Sequence, residues 1–180
     1  MYAIGLGILS IPALWFSMNQ YQKNRIYDFL DPTRDAMGSG RQVIQGKIAL
    51  GSGKLFGRGL FKGTQNLYKY VPEKHTDSIF AIVGEETGFL GGAIMIFLYY
   101  TMLRRMLIIA KSSDNVFGSA MVSGFLGMFL FHIVQNIGMI LGILPVTGIP
   151  LPFISYAGTF QLTGLACIGL VLSVNYNRGA

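Results

Sequence analysis

Long apolar runs alternate with polar segments along this 180-residue chain. A segment of about 20 apolar residues is long enough to cross a hydrocarbon core about 30 Å thick. The runs that approach this length cover residues 1–18, 78–103, 116–144 and 159–175. The pattern therefore predicts an all-α membrane protein, a polytopic helical bundle with about four transmembrane helices in a single region, 1–180.

Two polar loops are long enough to carry structure of their own. In the large loop, 19–76, apolar residues such as Ile44 and Ile48 recur at loose helical spacing, which predicts short amphipathic helices at the membrane interface. The loop at 145–158 cannot be a regular helix, because three prolines interrupt it: Pro145, Pro150 and Pro152. We expect it to be a stiff, re-entrant-like loop enclosed by protein or water, since lipid cannot satisfy its backbone.

Composition agrees with a membrane protein. The chain is 52% hydrophobic and 12% charged, with a mean hydropathy of +0.50, and is more apolar than a typical soluble domain. The first run is interpreted as a span and not a signal peptide, because it lacks a basic start and a small-residue cleavage site. Since the chain begins inside this run, we expect that a further segment precedes it. The single cysteine, Cys167, excludes an intrachain disulfide.

Charge predicts the orientation of the spans. The short connection at 104–116 carries Arg104, Arg105 and Lys111, and the tail carries Arg178. Short basic connections stay in the cytoplasm. We therefore expect both termini to be cytoplasmic, and the loops at 19–76 and 145–158 to lie outside.

The large loop contains most of the basic residues of the chain. Ten of the fourteen lie there against four acidic residues, so the loop carries the whole net charge of +6. The basic residues are Lys23, Arg25, Arg34, Arg41, Lys47, Lys54, Arg58, Lys62, Lys69 and Lys74. Two explanations stay open: attraction to anionic lipid headgroups, and an anionic substrate that arrives at the outer leaflet.

The glycine-rich segment 51–63 is not a nucleotide-binding P-loop, because the spacing G-x-x-x-x-G-K-[ST] is absent. Its glycines allow close backbone approach to a ligand. Backbone N–H groups beside Lys54, Arg58 and Lys62 would suit a diphosphate. On composition alone, a plain flexible loop is the favoured interpretation.

Asp77 is the candidate with the clearest chemistry. It opens the second run, where Thr76 or Asp77 could cap the helix, and it could also serve as a general base at the water–membrane boundary. A helix over 77–86 would place Asp77 and Glu85 about 12 Å apart, beyond the 5–9.5 Å of paired glycosidase carboxylates. We therefore expect one acting carboxylate, with Glu86 on the opposite face, and a polar break at 84–88.

Other polar residues have plainer interpretations. His75 and Asp77 have a metal-like spacing, but no second local histidine or cysteine completes a site. We therefore predict no metal ligands, although a divalent cation stays open as a cofactor. In the third span His132, Gln135 and Asn136 share one face, and hydrogen bonding between helices is the favoured interpretation.

Three dense motifs, in order, resemble one family. They are GSGKLFGRGL at 51–60, PEKHTDSIF at 72–80, and PVTGIPLPFISY at 145–156. The chain resembles the C-terminal half of the SEDS family, the RodA, FtsW and SpoVE membrane glycosyltransferases, and is more RodA-like than FtsW-like. It departs from the family at Lys54 and Ala157, where glycine is usual, and at Ser78, where phenylalanine is usual.

The resemblance implies ten spans in the complete protein, of which this chain would be the last four, in the bacterial cytoplasmic membrane. It implies polymerisation of lipid II into glycan strands during elongation or division, with release of undecaprenyl diphosphate. The partners would be lipid II, undecaprenyl-diphosphate-linked glycan, membrane lipids and a class B penicillin-binding protein, with no nucleic acid. Asp77 would be the catalytic base. The substrate-binding residues would be Lys47, Lys54, Arg58, Glu73, His75 and Ser155.

Two other functions stay open. A flippase for the same lipid-linked precursor would need a continuous polar path through the spans, whereas the ionisable residues concentrate at one face. A truncated and inactive scaffold that only docks a partner would keep the fold without the chemistry.

Overall fold

The computed structural model describes residues 18–31, 39–60, 62 and 77–177. These residues form helices and no strand. The helices are α1 (Gln20–Leu30), α2 (Ser39–Ser52), α3 (Ile79–Ser112), α4 (Val116–Leu141) and α5 (Gly158–Tyr176). The all-α prediction is thus confirmed for this part of the chain, and the predicted span at 1–18 lies almost wholly outside it.

Three of the helices, α3, α4 and α5, are long and apolar enough to cross a membrane. They correspond to the last three predicted spans. The predicted connection at 104–116 is wrong in its extent, because α3 continues to Ser112 and only residues 113–115 join it to α4. Arg104, Arg105 and Lys111 are therefore exposed on the last turns of α3.

The three-residue connection 113–115 makes α3 and α4 antiparallel. At the 113–115 turn the Asn115 side chain caps α4 by accepting a hydrogen bond from the Phe117 N–H at 2.9 Å. At the other end, α4 stops at Gly142, which has a left-handed φ of 69° and can adopt it because it has no Cβ. Hence α3 begins, α4 ends and α5 begins at one end of the bundle, called here the Asp77 end.

Two apolar clusters form the core. The cluster at the Asp77 end joins α2, α3, α4 and the loop before α5, and includes Val43, Ala49, Phe80, Ala81, Tyr99, Ile140 and Leu151. The cluster at the opposite end joins α3, α4 and α5, and consists of Met106, Ala110, Val122, Phe129, Cys167 and Val171. Helix α2 therefore belongs to the bundle core as well as to the predicted large loop.

Small residues let α2 pack closely against α3 and α4. Its buried positions recur every three residues, at Val43, Gly46 and Ala49. A Cβ on Gly46 would lie 3.5 Å from the Ile140 side chain, which is ordinary van der Waals contact. The predicted short helix is present, but its inner face packs on protein and not on lipid.

Helix α3 is broken at Gly88, where φ is 70° and ψ is −165°. The predicted polar break at 84–88 is confirmed. A broken helix leaves backbone donors and acceptors without intrahelical partners, and the glycine loop (residues 53–59) supplies the missing ones. The bonds run from Arg58 N to Glu85 O (3.0 Å), Gly59 N to Glu86 O (3.0 Å), Phe89 N to Lys54 O (2.8 Å) and Leu90 N to Leu55 O (3.2 Å).

The glycines of this loop allow the two backbones to touch. A Cβ on Gly53 would collide with the Gly84 carbonyl, and a Cβ on Gly57 would collide with the Glu86 carbonyl. Gly57 also has a φ of 78°, which favours glycine. The glycine-rich motif therefore serves helix packing directly.

We predict that Gly53→Ala destabilises the protein by about 1–3 kcal/mol, because backbone atoms must move to admit the methyl group. The matched control is Gly51→Ala, where a Cβ meets nothing within 4 Å. In a helix this control should be neutral or stabilising by up to about 1 kcal/mol. Thermal unfolding in detergent measures both variants. Equal stabilities would contradict the close approach.

Candidate functional site

The proline loop (residues 142–157) connects α4 to α5 without regular structure, so its carbonyls need partners from elsewhere. Side chains from α1, α3 and α4 donate to them. The donors are Gln135 Nε2 to Pro145 O (2.9 Å), Arg25 Nη1 to Val146 O (2.8 Å), Asn136 Nδ2 to Ile149 O (2.7 Å) and Tyr99 Oη to Pro152 O (2.6 Å). A set of side chains therefore holds the loop at successive residues.

The polar face of α4 has a different role from the predicted one. His132, Gln135 and Asn136 were expected to hydrogen-bond across helices. Gln135 and Asn136 instead reach the proline loop, and His132 Nδ1 lies 3.4 Å from the Pro150 carbonyl oxygen. The His132 ring also stacks on Phe160 with centroids 4.6 Å apart. This face of α4 anchors a loop.

Ser155 lies inside the proline loop and is 1% exposed. Its hydroxyl accepts a hydrogen bond from the Leu151 N–H at 2.8 Å, and its carbonyl accepts one from Gln161 Nε2 at 2.8 Å. In this structure Ser155 closes the turn before α5. Contact between Ser155 and a substrate stays a prediction.

Asp77 is half-buried in the turn that precedes α3. The N-cap of α3 is Ser78 and forms no side-chain cap, so Asp77 lies one residue before the cap position. Thr76, the other predicted capping residue, lies outside the described residues. The Ser78 hydroxyl instead accepts a hydrogen bond from Gln42 Nε2 at 2.9 Å, which ties this turn to α2.

The Asp77 carboxylate meets the proline loop at Gly148. Oδ2 of Asp77 lies 3.2 Å from the position that a Cβ on Gly148 would occupy, and Gly148 has a φ of 69°. Asn136 joins the same two segments, because its Nδ2 also donates to the Asp77 carbonyl at 2.9 Å. The structure thus brings the second and third sequence motifs into contact around one carboxylate.

The two glutamates behind Asp77 differ in environment. Glu85 is fully buried, whereas Glu86 is half-buried, consistent with their predicted placement on different faces of α3. The backbone carbonyls of Glu85 and Glu86 accept hydrogen bonds from the N–H groups of Arg58 and Gly59 in the glycine loop.

The predicted cationic residues lie on α2 and the glycine loop. The Lys47 ammonium lies against Gly142, at the C-terminus of α4, where a positive charge is favoured by the helix dipole. Lys47 and Lys54 also line an apolar groove of about 910 Å³ between α2, α3 and α4. Arg58 Nε contacts the Ser52 carbonyl at 3.4 Å.

Part of the backbone of the glycine loop is already hydrogen-bonded within the protein. The N–H groups of Gly57, Arg58 and Gly59 donate to the carbonyls of Gly53, Glu85 and Glu86. These three N–H groups are therefore not available to a diphosphate in this structure, and binding of a diphosphate by the segment stays a prediction. Glu73 and His75 lie outside the described residues. Among the described residues, no group of three or more His, Cys, Asp or Glu side chains could hold a metal ion.

Sequence reasoning missed Arg25 and Tyr99 as anchors of the proline loop. Tyr99 lies in an apolar run and is 6% exposed. A buried tyrosine hydroxyl usually has a hydrogen-bond partner, so its position signalled a nearby acceptor without identifying it. Arg25 gave no comparable signal.

The fold and this arrangement define a polytopic helical membrane protein with an aspartate held against a proline loop at one end of the bundle. The FTSW_RODA_SPOVE family model, described as cell cycle protein, matches residues 1–179. The chain belongs to this family. It spans about half the length of the curated relatives it matches.

Named relatives are similar over nearly the whole chain. Peptidoglycan glycosyltransferase MrdB of Escherichia coli K12 is 42% identical over 177 residues, which cover 98% of this chain and 48% of MrdB. Stage V sporulation protein E of Bacillus subtilis is 42% identical over 159 residues, covering 88% of this chain and 43% of that protein.

Solved structures agree with the fold. A chain in a structure on coordination of polymerization and crosslinking by a peptidoglycan synthase complex matches with a TM-score of 0.75 and 32% identity, over 99% of this chain and 49% of that one. A mutant of the Thermus thermophilus rod shape determining protein RodA matches with a TM-score of 0.56 and 38% identity, over 60% of this chain and 36% of that one.

The departure from the family at Lys54 leads to a prediction. Lys54 has a left-handed φ of 49°, which explains why glycine suits this position. Lys54→Gly should be more stable than Lys54→Gln by about 1 kcal/mol, because only glycine adopts this conformation without steric cost. Both variants remove the same charge, so thermal unfolding compares backbone effects alone. A more stable glutamine variant would contradict the assignment.

Proposed function

We propose that this chain forms part of a peptidoglycan glycosyltransferase that polymerises lipid II, with Asp77 as its general base. The observation that carries the proposal is the contact of the Asp77 carboxylate with Gly148 of the proline loop. A half-buried carboxylate held in a turn, and joined to a loop with an anchored backbone, suits proton transfer at a fixed position.

The reaction proposed is an inverting glycosyl transfer. The Asp77 carboxylate takes the proton of the acceptor sugar 4-hydroxyl, and the oxygen attacks the anomeric carbon of a strand carried on undecaprenyl diphosphate. The new glycosidic C–O bond forms as the bond from that carbon to the diphosphate oxygen breaks. The leaving diphosphate takes the bonding electron pair and departs as an anion.

The departing anion gives the basic residues their proposed role. Lys47 and Lys54 line one groove, with Arg58 on the same loop as Lys54, and positive side chains stabilise charge that develops on a leaving group. Glu73, His75 and Ser155 complete the proposed substrate-binding set. The alternative of headgroup attraction predicts that these lysines affect membrane association and not turnover.

The buried polar residues favour this function over a flippase. In the part of the chain described, they are Ser78, Glu85, Gln135, Asn136 and Ser155. All of them lie toward the Asp77 end of α3 and α4 or in the proline loop. A flippase would need polar groups along the whole path through the bundle. We further propose that a class B penicillin-binding protein is the partner, since a similar structure comes from a peptidoglycan synthase complex.

Asp77→Asn should reduce lipid II polymerisation by about 10²- to 10⁴-fold, the usual contribution of a positioned base. The variant is made in the complete chain, both alone and in a chimera where the chain replaces the matching 177 residues of E. coli MrdB. Gel analysis of labelled lipid II products measures turnover, and thermal unfolding serves as the control. Normal turnover by the folded Asp77→Asn chimera would refute the role of Asp77. A chimera that is inactive with Asp77 intact would support a scaffold.

The proposed membrane orientation has a separate test. We propose that Lys62 faces the outside and Lys111 the cytoplasm; both side chains are exposed. In a Cys167→Ala background, a membrane-impermeant maleimide should label Lys62→Cys in intact cells, and Lys111→Cys only after the membrane is permeabilised. The opposite labelling pattern would reverse the orientation.

A further inference from the structure

Asn136 links the candidate catalytic residue to the loop that faces it. Its side chain is fully buried, and its nitrogen donates to the carbonyls of Asp77 and Ile149 at 2.9 Å and 2.7 Å. We infer that Asn136 is a positioning residue that sets the Asp77 carboxylate at its working distance from the proline loop. This inference rests on the proposed function, because Asn136 acts through Asp77.

The geometry explains how Asn136 contributes to setting this position. Ile149 is the neighbour of Gly148, and Gly148 is where the Asp77 carboxylate meets the loop. Asn136 therefore fixes the backbone on both sides of that contact. The three segments are far apart in sequence, with Asn136 separated from Asp77 by 59 residues and from Ile149 by 13. No local turn could set this distance.

The chemistry of the link requires a primary amide. Two carbonyl oxygens face one atom, and the amide nitrogen carries two hydrogens, one for each. An aspartate of the same shape would present only acceptors to the two carbonyls when ionised. The Oδ1 atom of Asn136 has no hydrogen-bond partner within the described residues, so only the donating half of the side chain is used there.

Gln135 offers a matched comparison on the adjacent position. It is also buried, at 8% exposure, and also donates to the proline loop, at the Pro145 carbonyl. This bond to Pro145 does not involve Asp77. If loop anchoring alone matters, loss of either side chain should have similar effects. If positioning of Asp77 matters, Asn136 should matter much more for turnover.

The experiment compares Asn136→Leu with Gln135→Met in the chimera described above, using labelled lipid II. Asn136→Leu should lower kcat by about 10²-fold, the effect expected of a small misplacement of a reacting group, with KM little changed. Gln135→Met should show a much smaller loss of kcat. Equal losses in kcat, or a change confined to KM, would overturn the inference.

Two further variants keep the test decisive. If Asn136→Leu does not fold, Asn136→Gln is used, since it retains the amide but moves the nitrogen by one methylene. It should also lower kcat, and normal kcat would overturn the inference. The double variant Asp77→Asn with Asn136→Leu should be no slower than Asp77→Asn alone, because residues that act as one unit are non-additive. Multiplied losses would overturn it.

The outcomes separate this inference from the proposed function. Normal turnover by Asp77→Asn would refute Asp77 as the base, whatever Asn136 does. Strong impairment by Asp77→Asn, together with equal effects of Asn136→Leu and Gln135→Met, would remove only the positioning role.

Discussion

Every carbonyl and N–H group of an irregular segment inside a helical bundle needs a hydrogen-bond partner, because lipid provides none. The bundle contains two such irregular segments, the break in α3 and the proline loop. The break at Gly88 in α3 is completed by backbone groups of the glycine loop. The proline loop is completed by side chains, among them Asn136 and Tyr99. These two solutions fix the segments around Asp77.

The two solutions differ in what they demand of the sequence. A backbone that partners another backbone requires the absence of side chains, which explains Gly53 and Gly57. A proline-rich loop lacks several N–H donors, so it requires donors of the right length on neighbouring helices. Packing and hydrogen bonding within the protein therefore explain both the glycine loop and the proline loop without a ligand. Asn136, one of the side chains that bind the proline loop, also donates to the Asp77 carbonyl and so links Asp77 to this loop.

The sequence predicted the elements better than their contacts. Apolar runs are local signals, so α4 and α5 lie close to their predicted positions. The end of α3 was misplaced, because Arg104 and Arg105 break the apolar run without breaking the helix. The contact between Asp77 and the proline loop joins residues distant in the chain, and no local spacing encodes it. Chemistry identified Asp77 as a candidate, but only the fold identified what holds it.

The break at Gly88 has a consequence for biogenesis. Both sides of the break in α3 form hydrogen bonds with the glycine loop, which precedes α3 in the chain and is therefore synthesised first. Until the loop docks, the Glu85 and Glu86 carbonyls on one side of the break and the Phe89 and Leu90 N–H groups on the other lack these partners. Because these bonds join the two segments, the glycine loop can form them only after the start of α3 has been synthesised.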